Sequence, residues 1–249
     1  MERLTGGGIN DVYRVGQTVR RPVGPWSPRV HGLLRHLRER GFTGAPDFHG
    51  IDEEGREILT FFPGEVCNYP LSPAARSEEA LVSAARLLRS YHDATASYDH
   101  RTGWMMPVRE PAEVVCHGDF APYNCVLDGT TAVALIDFDT AHPAPRLWDV
   151  AYAVYRWAPL THPDNHDGFG TAARQAARAA RFCNAYGLAD RSGLVAAVAE
   201  RLTALVELMH ARADAGDRAF ARHIADGHDR LYLRDAEYVR TTMPGMITG

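Results

Sequence analysis

The sequence predicts an α+β protein with two lobes, a small antiparallel-sheet N-lobe over residues 1–62 and a larger, mainly helical C-lobe over residues 63–249. Three observations support this fold class. Short strand-like runs separated by turn residues fill the first sixty positions, Pro63-Gly64 then interrupts the pattern, and helical periodicity dominates from Ser72 onward. The chain has 249 residues, of which 45% are hydrophobic and 23% charged, so it can bury a core in each layer.

The strands of the N-lobe are indicated by β-branched and aromatic runs between turn residues. The runs at 12–15 and 18–21 flank a Gly-Gln turn, and Pro22 ends the second run because proline cannot donate to a sheet ladder. Two further strands are expected at 47–51 and 57–62, on either side of an Asp-Glu-Glu-Gly turn. These runs predict a small antiparallel sheet.

The helices are indicated by apolar residues spaced three and four positions apart. The first begins at Ser27-Pro28, packs on the sheet and ends before Gly41, and the next begins at Ser72-Pro73. Three long patterns rich in Ala, Arg and Leu follow near 169–186, 190–213 and 217–240. A β island interrupts the helical part at 114–116, 124–127 and 132–136, with Asp128-Gly129 as a hairpin turn.

Composition excludes several classes of protein. The chain has no lysine, so all 27 basic residues are arginine, and a Walker-A P-loop, a pyridoxal Schiff base and a lysine nucleophile are excluded. A net charge of -4 gives no basic footprint for nucleic acid. The four cysteines lack the spacing of a zinc site, and no leader or bilayer-length apolar segment is evident. We therefore expect a cytoplasmic protein with neither nucleic acid nor membrane as a partner.

The segment His117–Asn124, which reads His-Gly-Asp-Phe-Ala-Pro-Tyr-Asn, carries the most chemical information, together with Ile136–Asp139. Phosphoryl transfer needs a carboxylate to accept the hydroxyl proton and oxygen ligands to hold Mg²⁺ against the phosphates. Asp119, Asn124 and Asp137 supply these groups at the ends of the strands of the β island. This pattern predicts a phosphotransferase.

These residues resemble the aminoglycoside phosphotransferase family, which shares the protein-kinase-like fold with choline and fructosamine kinases. The resemblance spans roughly residues 5–155 and includes Leu147–Tyr152 after the second motif. It implies the two-lobed kinase-like fold and O-phosphorylation of a small molecule by ATP or GTP. In this family the matching residues act as catalytic base, here Asp119, and as Mg²⁺ ligands, here Asn124 and Asp137. His117 is expected to hydrogen-bond the backbone and shape the loop.

The nucleotide-binding side departs from the kinase pattern. Kinases pair a strand lysine with a helix glutamate. Alignment of the second strand run places Arg20 at the lysine position, with Arg21 on the opposite face of the strand, and Val30 or His31 at the glutamate position. Gly7 and Gly8 lie where a glycine-rich loop would cover the phosphates, although a simple turn explains them nearly as well. Phe61 and Phe62 are at the expected hinge beside the adenine edge, or are core residues.

A small-molecule acceptor is favoured because only twelve positions separate Asp137 from Asp149, too few for a peptide-docking activation segment. Asp164 and Glu207 are candidates for an acidic wall that would bind a cationic acceptor, and a solvated helix face is the alternative. Asp139 is an outer metal or substrate ligand, or a turn-stabilising residue. The oligomeric state is left open by the sequence.

Two other functional classes remain. The missing lysine–glutamate pair would also suit a non-catalytic nucleotide-binding regulatory module. The 12 histidines raise the alternative of a metalloprotein, but they are scattered and lack ligand spacing.

Overall fold

The structure is a computed structural model that describes residues 2–4 and 12–247. The chain forms two compact units, Met1–Asp149 and Val150–Gly249. The lobe boundary expected after residue 62 lies inside the first unit and stays a prediction. Among the helices of the described residues, none has the length and apolar character required to cross a bilayer.

The first unit contains a five-stranded antiparallel sheet in the order β1-β2-β3-β5-β4. Its strands are β1 (Glu2–Leu4), β2 (Val12–Val15), β3 (Thr18–Arg21), β4 (Phe48–Ile51) and β5 (Glu57–Thr60). Helix α1 (Ser27–Glu39) follows β3 and buries the apolar face that its periodicity predicted, formed by Val30, Leu33, Leu34 and Leu37. The α+β class and the antiparallel sheet expected from the sequence are confirmed.

Two helices and two smaller sheets complete the first unit. The pattern that begins at Ser72 forms two helices, α2 (Pro73–Arg76) and α3 (Glu78–Thr95), because the extended Ser77 starts a new helix by accepting a hydrogen bond from the Ala80 amide. One sheet pairs β7 (Val114–Cys116) with β10 (His142–Ala144), and the other has β6 (Glu65–Val66), β8 (Cys125–Asp128) and β9 (Thr131–Leu135). A 3₁₀ turn over Pro122–Asn124 precedes β8.

The second unit is helical. Helix α4 (Arg146–Trp157) begins in the first unit, and α5 (Ala172–Tyr186), α6 (Leu194–Asp214), α7 (Arg218–Ala225) and α8 (His228–Thr242) follow. The pattern expected as one helix over 217–240 is divided in two at Asp226-Gly227, where Gly227 has a φ of 85°. Glycine accepts this left-handed conformation without a side-chain clash, so the chain turns there and α8 packs on α6.

Candidate active site

The loop between β7 and β8 is held by one buried carboxylate on α4. Asp149 accepts hydrogen bonds from the main-chain amides of His117, at 2.7 Å, and Gly118, at 3.0 Å, and from His92 Nε2, at 3.0 Å. Burial alone would raise the pKa of Asp149, but the hydrogen bond and charge of His92 and the amide of His117 lower it to about 2. Asp149 is therefore an anion at neutral pH, and it fixes the start of the loop.

Contacts with the segment after β9 fix the other side of the loop. His117 Nε2 lies 3.0 Å from the carbonyl oxygen of Ile136, so His117 hydrogen-bonds the backbone as its position in the loop suggested. The Thr140 hydroxyl donates to the His117 carbonyl at 3.0 Å. Gly118 has a φ of 82°, and a Cβ there would lie 2.3 Å from the Thr140 carbonyl oxygen. Only glycine permits this approach.

The Asp119 carboxylate is oriented by two neighbours in the same loop. Asn124 Nδ2 donates to Asp119 Oδ2 at 2.8 Å and to the Asp119 carbonyl at 3.0 Å, and the Tyr123 hydroxyl donates to Asp119 Oδ1 at 2.8 Å. The Asn124 amide nitrogen is thus committed to Asp119. Its amide oxygen accepts no hydrogen bond from the described residues and keeps its lone pairs for another partner.

Asp137 lies next to this loop through a backbone contact. The Ile136 amide donates to the Asn124 carbonyl at 3.0 Å, which places Asn124 beside the residue that precedes Asp137. Asp137 has a φ of 63°, in a left-handed region that non-glycine residues seldom occupy, and its side chain is 50% exposed. Such strain is concentrated at functional sites. Asn124 and Asp137 therefore flank neighbouring strand ends, and Asp119 contacts Asn124 directly.

The cation that faces Asp137 is Arg21, the last residue of β3. Its NH1 lies 2.9 Å from Asp137 Oδ1, its NH2 hydrogen-bonds Asp139, and its Nε lies 2.8 Å from Glu57 Oε1. Burial alone would lower the pKa of Arg21, but the charges of Asp137, Asp139 and Glu57 outweigh burial and raise it above its ordinary value. Three carboxylates thus surround one guanidinium, and the excess of negative charge attracts further cations.

Asp139 differs from Asp137 in its degree of burial. Its side chain is 18% exposed, and burial raises the pKa of this carboxyl although Arg21 opposes the shift. Arg21 joins Asp139 to Asp137, so both acidic residues of the second motif belong to one cluster.

The structure places Arg20 away from this cluster. Arg20 is directed to the opposite face of β3, where NH1 donates to Thr18 Oγ1 at 2.6 Å and Nε lies 3.7 Å from Asp52 Oδ2. Side chains alternate along a strand, so only one of two consecutive arginines faces Asp137. The assignment of Arg20 to the phosphates stays a prediction that these contacts do not favour.

The remaining nucleotide-side residues follow β5 or lie outside the described residues. Phe61 and Phe62 come directly after β5 and are half-buried, and the Arg14 guanidinium stacks on the Phe61 ring at 3.9 Å. Gly7 and Gly8 are outside the described residues.

The candidates for the acidic wall are in the second unit. Asp164 is exposed and pairs with Arg234 at 3.1 Å, which neutralises its charge locally. Glu207 is exposed on α6. Their part in acceptor binding stays a prediction.

The sequence did not indicate Glu57 or Tyr123 as residues of this site. It indicated Arg21 only as the neighbour of Arg20 on the opposite strand face, and His31 only as one of two occupants of the helix-glutamate position. His31 on α1 and Arg21 both contact Glu57, and Tyr123 contacts Asp119. The alternation of β3 shows that Arg20 and Arg21 face opposite sides, but it does not show which side faces Asp137. The sequence carries no local signal for Glu57, which is 36 positions from Arg21 and becomes its neighbour only through strand pairing.

Comparison with known proteins places this site in a family. Residues 104–194 match the phosphotransferase enzyme family, and this range contains the loop, Asp137 and Asp149. The trifolitoxin immunity protein of Rhizobium leguminosarum bv. trifolii is 37% identical over 204 residues, which cover 77% of this chain and 77% of that protein.

Solved structures agree on the fold. The GDP complex of aminoglycoside 2'-phosphotransferase-IIIa matches with a TM-score of 0.66 at 15% identity, covering 95% of this chain and 92% of that chain. The gentamicin complex of APH(2")-IIa matches with a TM-score of 0.60 at 13% identity, covering 100% of this chain and 93% of that chain. The chain therefore belongs to the phosphotransferase enzyme family, is related to the trifolitoxin immunity protein over 77% of its length, and has the kinase-like fold of the aminoglycoside phosphotransferases.

Proposed function

We propose that this protein transfers the terminal phosphoryl group of ATP or GTP to a hydroxyl group of a small molecule. The observation that carries the proposal is the position of Asp119, whose carboxylate is oriented by Asn124 in a loop fixed by the buried Asp149. Asp119 would accept the proton of the acceptor hydroxyl as that oxygen attacks the phosphorus atom.

The residues beside Asp119 fit a divalent metal ion. Mg²⁺ prefers oxygen ligands, and the Asn124 amide oxygen and the half-exposed Asp137 carboxylate are both available to it. The excess of carboxylates around Arg21 supplies the negative charge that such a cation requires. When bound, Mg²⁺ would neutralise charge on the phosphates. We assign Asn124 and Asp137 as its ligands, with Asp139 as an outer ligand.

A nucleotide donor agrees with the relatives of this fold, since one was solved with GDP and another with ATP and streptomycin. We propose that Phe61 and Phe62 form the hinge beside the base, because they directly follow β5, the strand that pairs with β3 and carries Glu57. For the acceptor we retain a cationic or hydroxylated small molecule, with Asp164 and Glu207 as candidate contacts in a cytoplasmic enzyme.

The relationship to the trifolitoxin immunity protein supports a proposal for the biological role of this protein. The name of that relative denotes immunity to a toxin, and the relative is 37% identical to this chain. We propose that this protein protects its cell from a toxin, with phosphorylation of the toxin or of a small molecule in its pathway as the means.

The test is phosphoryl transfer from ATP and GTP to a panel of hydroxylated amines, aminoglycosides and peptide toxins, with products identified by mass spectrometry. Asp119→Asn keeps the shape of the side chain but removes the base, so transfer is expected to fall on the order of 10²–10⁴-fold. Asp128→Asn, at the exposed end of β8, is the matched control and is expected to react like the wild type. Equal turnover by Asp119→Asn and the wild type would remove Asp119 as the base.

The alternative is a non-catalytic module that binds nucleotide. It predicts nucleotide binding with no transfer to any acceptor, and toxin protection in cells that Asp119→Asn preserves. A phosphotransferase instead requires that Asp119→Asn lose transfer and protection together.

A further inference from the structure

The first observation concerns a charged pair across the sheet. Arg21 and Glu57 are directly opposite each other in the register of β3 and β5, so their side chains leave the sheet on the same face. Arg21 is 7% exposed and Glu57 is 2% exposed. The Arg21 Nε and Glu57 Oε1 atoms are 2.8 Å apart without an aligned hydrogen bond, so the contact is an ion pair.

The second observation connects this pair to helix α1. His31 Nε2 lies 2.5 Å from Glu57 Oε2, and the His31 ring stacks on Phe48 with centroids 3.7 Å apart and an interplanar angle of 13°. Glu57 therefore has Arg21 on one carboxylate oxygen and His31 on the other. Packing between the helix and β4 holds the imidazole in place, and through it the glutamate.

The third observation is the direction of the guanidinium. With Nε next to Glu57, the two terminal nitrogens of Arg21 face Asp137 and Asp139, the carboxylates that we assign around the metal. These nitrogens form a planar fork of donors, which suits phosphate oxygens. Arg20, its neighbour, faces the other side of the strand and contacts Thr18 and Asp52.

We infer that Arg21, Glu57 and His31 replace the lysine–glutamate pair of kinases, an inference that rests on the proposed function. Arg21 contacts the phosphates of the nucleotide in place of the strand lysine. Glu57 takes over the role of the helix glutamate from a neighbouring strand, and His31 connects it to the helix. Glu57 and His31 are positioning residues, because they act through Arg21.

The test measures nucleotide affinity by calorimetry with Mg-ATP and Mg-GTP, and with adenosine and guanosine for comparison. Arg21→Ala removes two charge-assisted donors, so triphosphate affinity is expected to fall about 10- to 100-fold while nucleoside affinity stays unchanged. Arg21→Lys is expected to retain part of the affinity. Arg38→Ala, an exposed arginine of α1 paired with Asp47, is the matched control and should bind like the wild type.

A double-mutant cycle tests the positioning role. Glu57→Gln alone is expected to weaken triphosphate binding by less than Arg21→Ala, and to add no further loss in the Arg21→Ala background, because both changes act on one contact. Additive losses would show that Glu57 does not act through Arg21. The double variant also leaves no unpaired buried carboxylate at position 57, so it remains a folded reference if Arg21→Ala alone does not fold.

The outcomes separate this inference from the proposed function. A larger loss for Arg20→Ala than for Arg21→Ala, or unchanged triphosphate affinity in Arg21→Ala, overturns the inference while the Asp119 result stands. If the wild type binds nucleotide but transfers no phosphoryl group, the proposed function fails and the calorimetric ranking still decides the role of Arg21. If the wild type binds neither nucleotide, both fail.

Discussion

Two regions of the first unit meet at Asp137 and are built on different principles. Loop 117–124, which carries the proposed base Asp119, is fixed mainly by its backbone, through the buried Asp149 and the segment after β9. The nucleotide side is fixed by charged side chains from β3, β5 and α1 that converge on Arg21. Backbone anchoring leaves the loop little freedom to vary, whereas a side-chain cluster can be rebuilt from other residues. This difference explains why the loop keeps the sequence motif of the family, whereas the nucleotide side lacks the lysine–glutamate pair of kinases.

The carboxylates of the two regions also respond differently to burial. Asp149 receives three hydrogen bonds that overcome the cost of burial, so its pKa is low. Asp139 is partly buried and shares the Arg21 cation with two other carboxylates, so burial dominates and its pKa is raised. Asp149, whose charge is balanced by three hydrogen bonds, stabilises the fold. Asp139, whose charge is only partly balanced by Arg21, can still interact with a further cation.

After substitution of the proposed base Asp119, the largest expected effect on activity is that of Asp137→Asn. Asp137 is the residue at which the two regions meet. Loss of one carboxylate ligand is expected to raise the Mg²⁺ concentration for half-maximal transfer by at least about 10²-fold, since even outer partners of metal ligands contribute 10- to 100-fold. The measurement is transfer rate against Mg²⁺ concentration, with Asp128→Asn as control. An unchanged Mg²⁺ requirement would exclude Asp137 as a ligand.

The comparison also shows what the sequence could predict. Asp119 and Asn124 are five positions apart in one loop, so their proximity follows from local spacing. The strand bounds of β2 and β3 were also predictable, because turn residues and Pro22 delimit them. By contrast, Glu57 reaches Arg21 only through the register of β3 with β5, and register depends on tertiary packing.

Of the two residues in the long-range contact that anchors loop 117–124, the sequence indicated one and not its pairing with the other. Asp149 lies within Leu147–Tyr152, a segment whose resemblance to the family is visible in the sequence, whereas its partner His92 is 57 positions away and no local pattern pairs the two. The division of two predicted helices, at Ser77 and at Gly227, was missed because apolar periodicity continues through both breaks. Capping and a left-handed glycine decided these boundaries.

The next prediction concerns the stability that the anchoring of loop 117–124 by Asp149 provides. Asp149→Asn removes the buried charge that accepts from His117, Gly118 and His92, and the free energy of unfolding is expected to fall by about 3 kcal/mol. The measurement is urea unfolding at neutral pH. Asp93→Asn is the control, because Asp93 is half-exposed and forms surface ion pairs that contribute less than about 1 kcal/mol. Equal losses in the two variants would show that Asp149 does not anchor the loop.

Acid should lower the contribution of Asp149 to the free energy of unfolding. The pKa of Asp149 is about 2 in the folded chain and near 3.8 when unfolded, so its contribution is complete above about pH 4 and is lost as pH falls towards 2. The difference corresponds to about 2 kcal/mol. Unfolding at pH 7 and pH 3 should show a smaller acid-induced loss in Asp149→Asn than in the wild type. The same acid-induced loss in both proteins would contradict this assignment.

The smallest expected effect is that of Tyr123→Phe, which tests whether the position of Asp119 in loop 117–124 depends on the backbone of the loop. The hydroxyl donates one hydrogen bond to Asp119, and a hydrogen bond of this kind contributes about 1 kcal/mol net. Transfer, measured as kcat/KM, should therefore fall by less than about tenfold. Tyr238→Phe, which loses a hydroxyl contact with Gln175 in the second unit, is the matched control. A loss in Tyr123→Phe as large as that in Asp119→Asn would mean that the position of Asp119 depends on this one side-chain contact and not on the anchored backbone, and the two regions would then follow one principle.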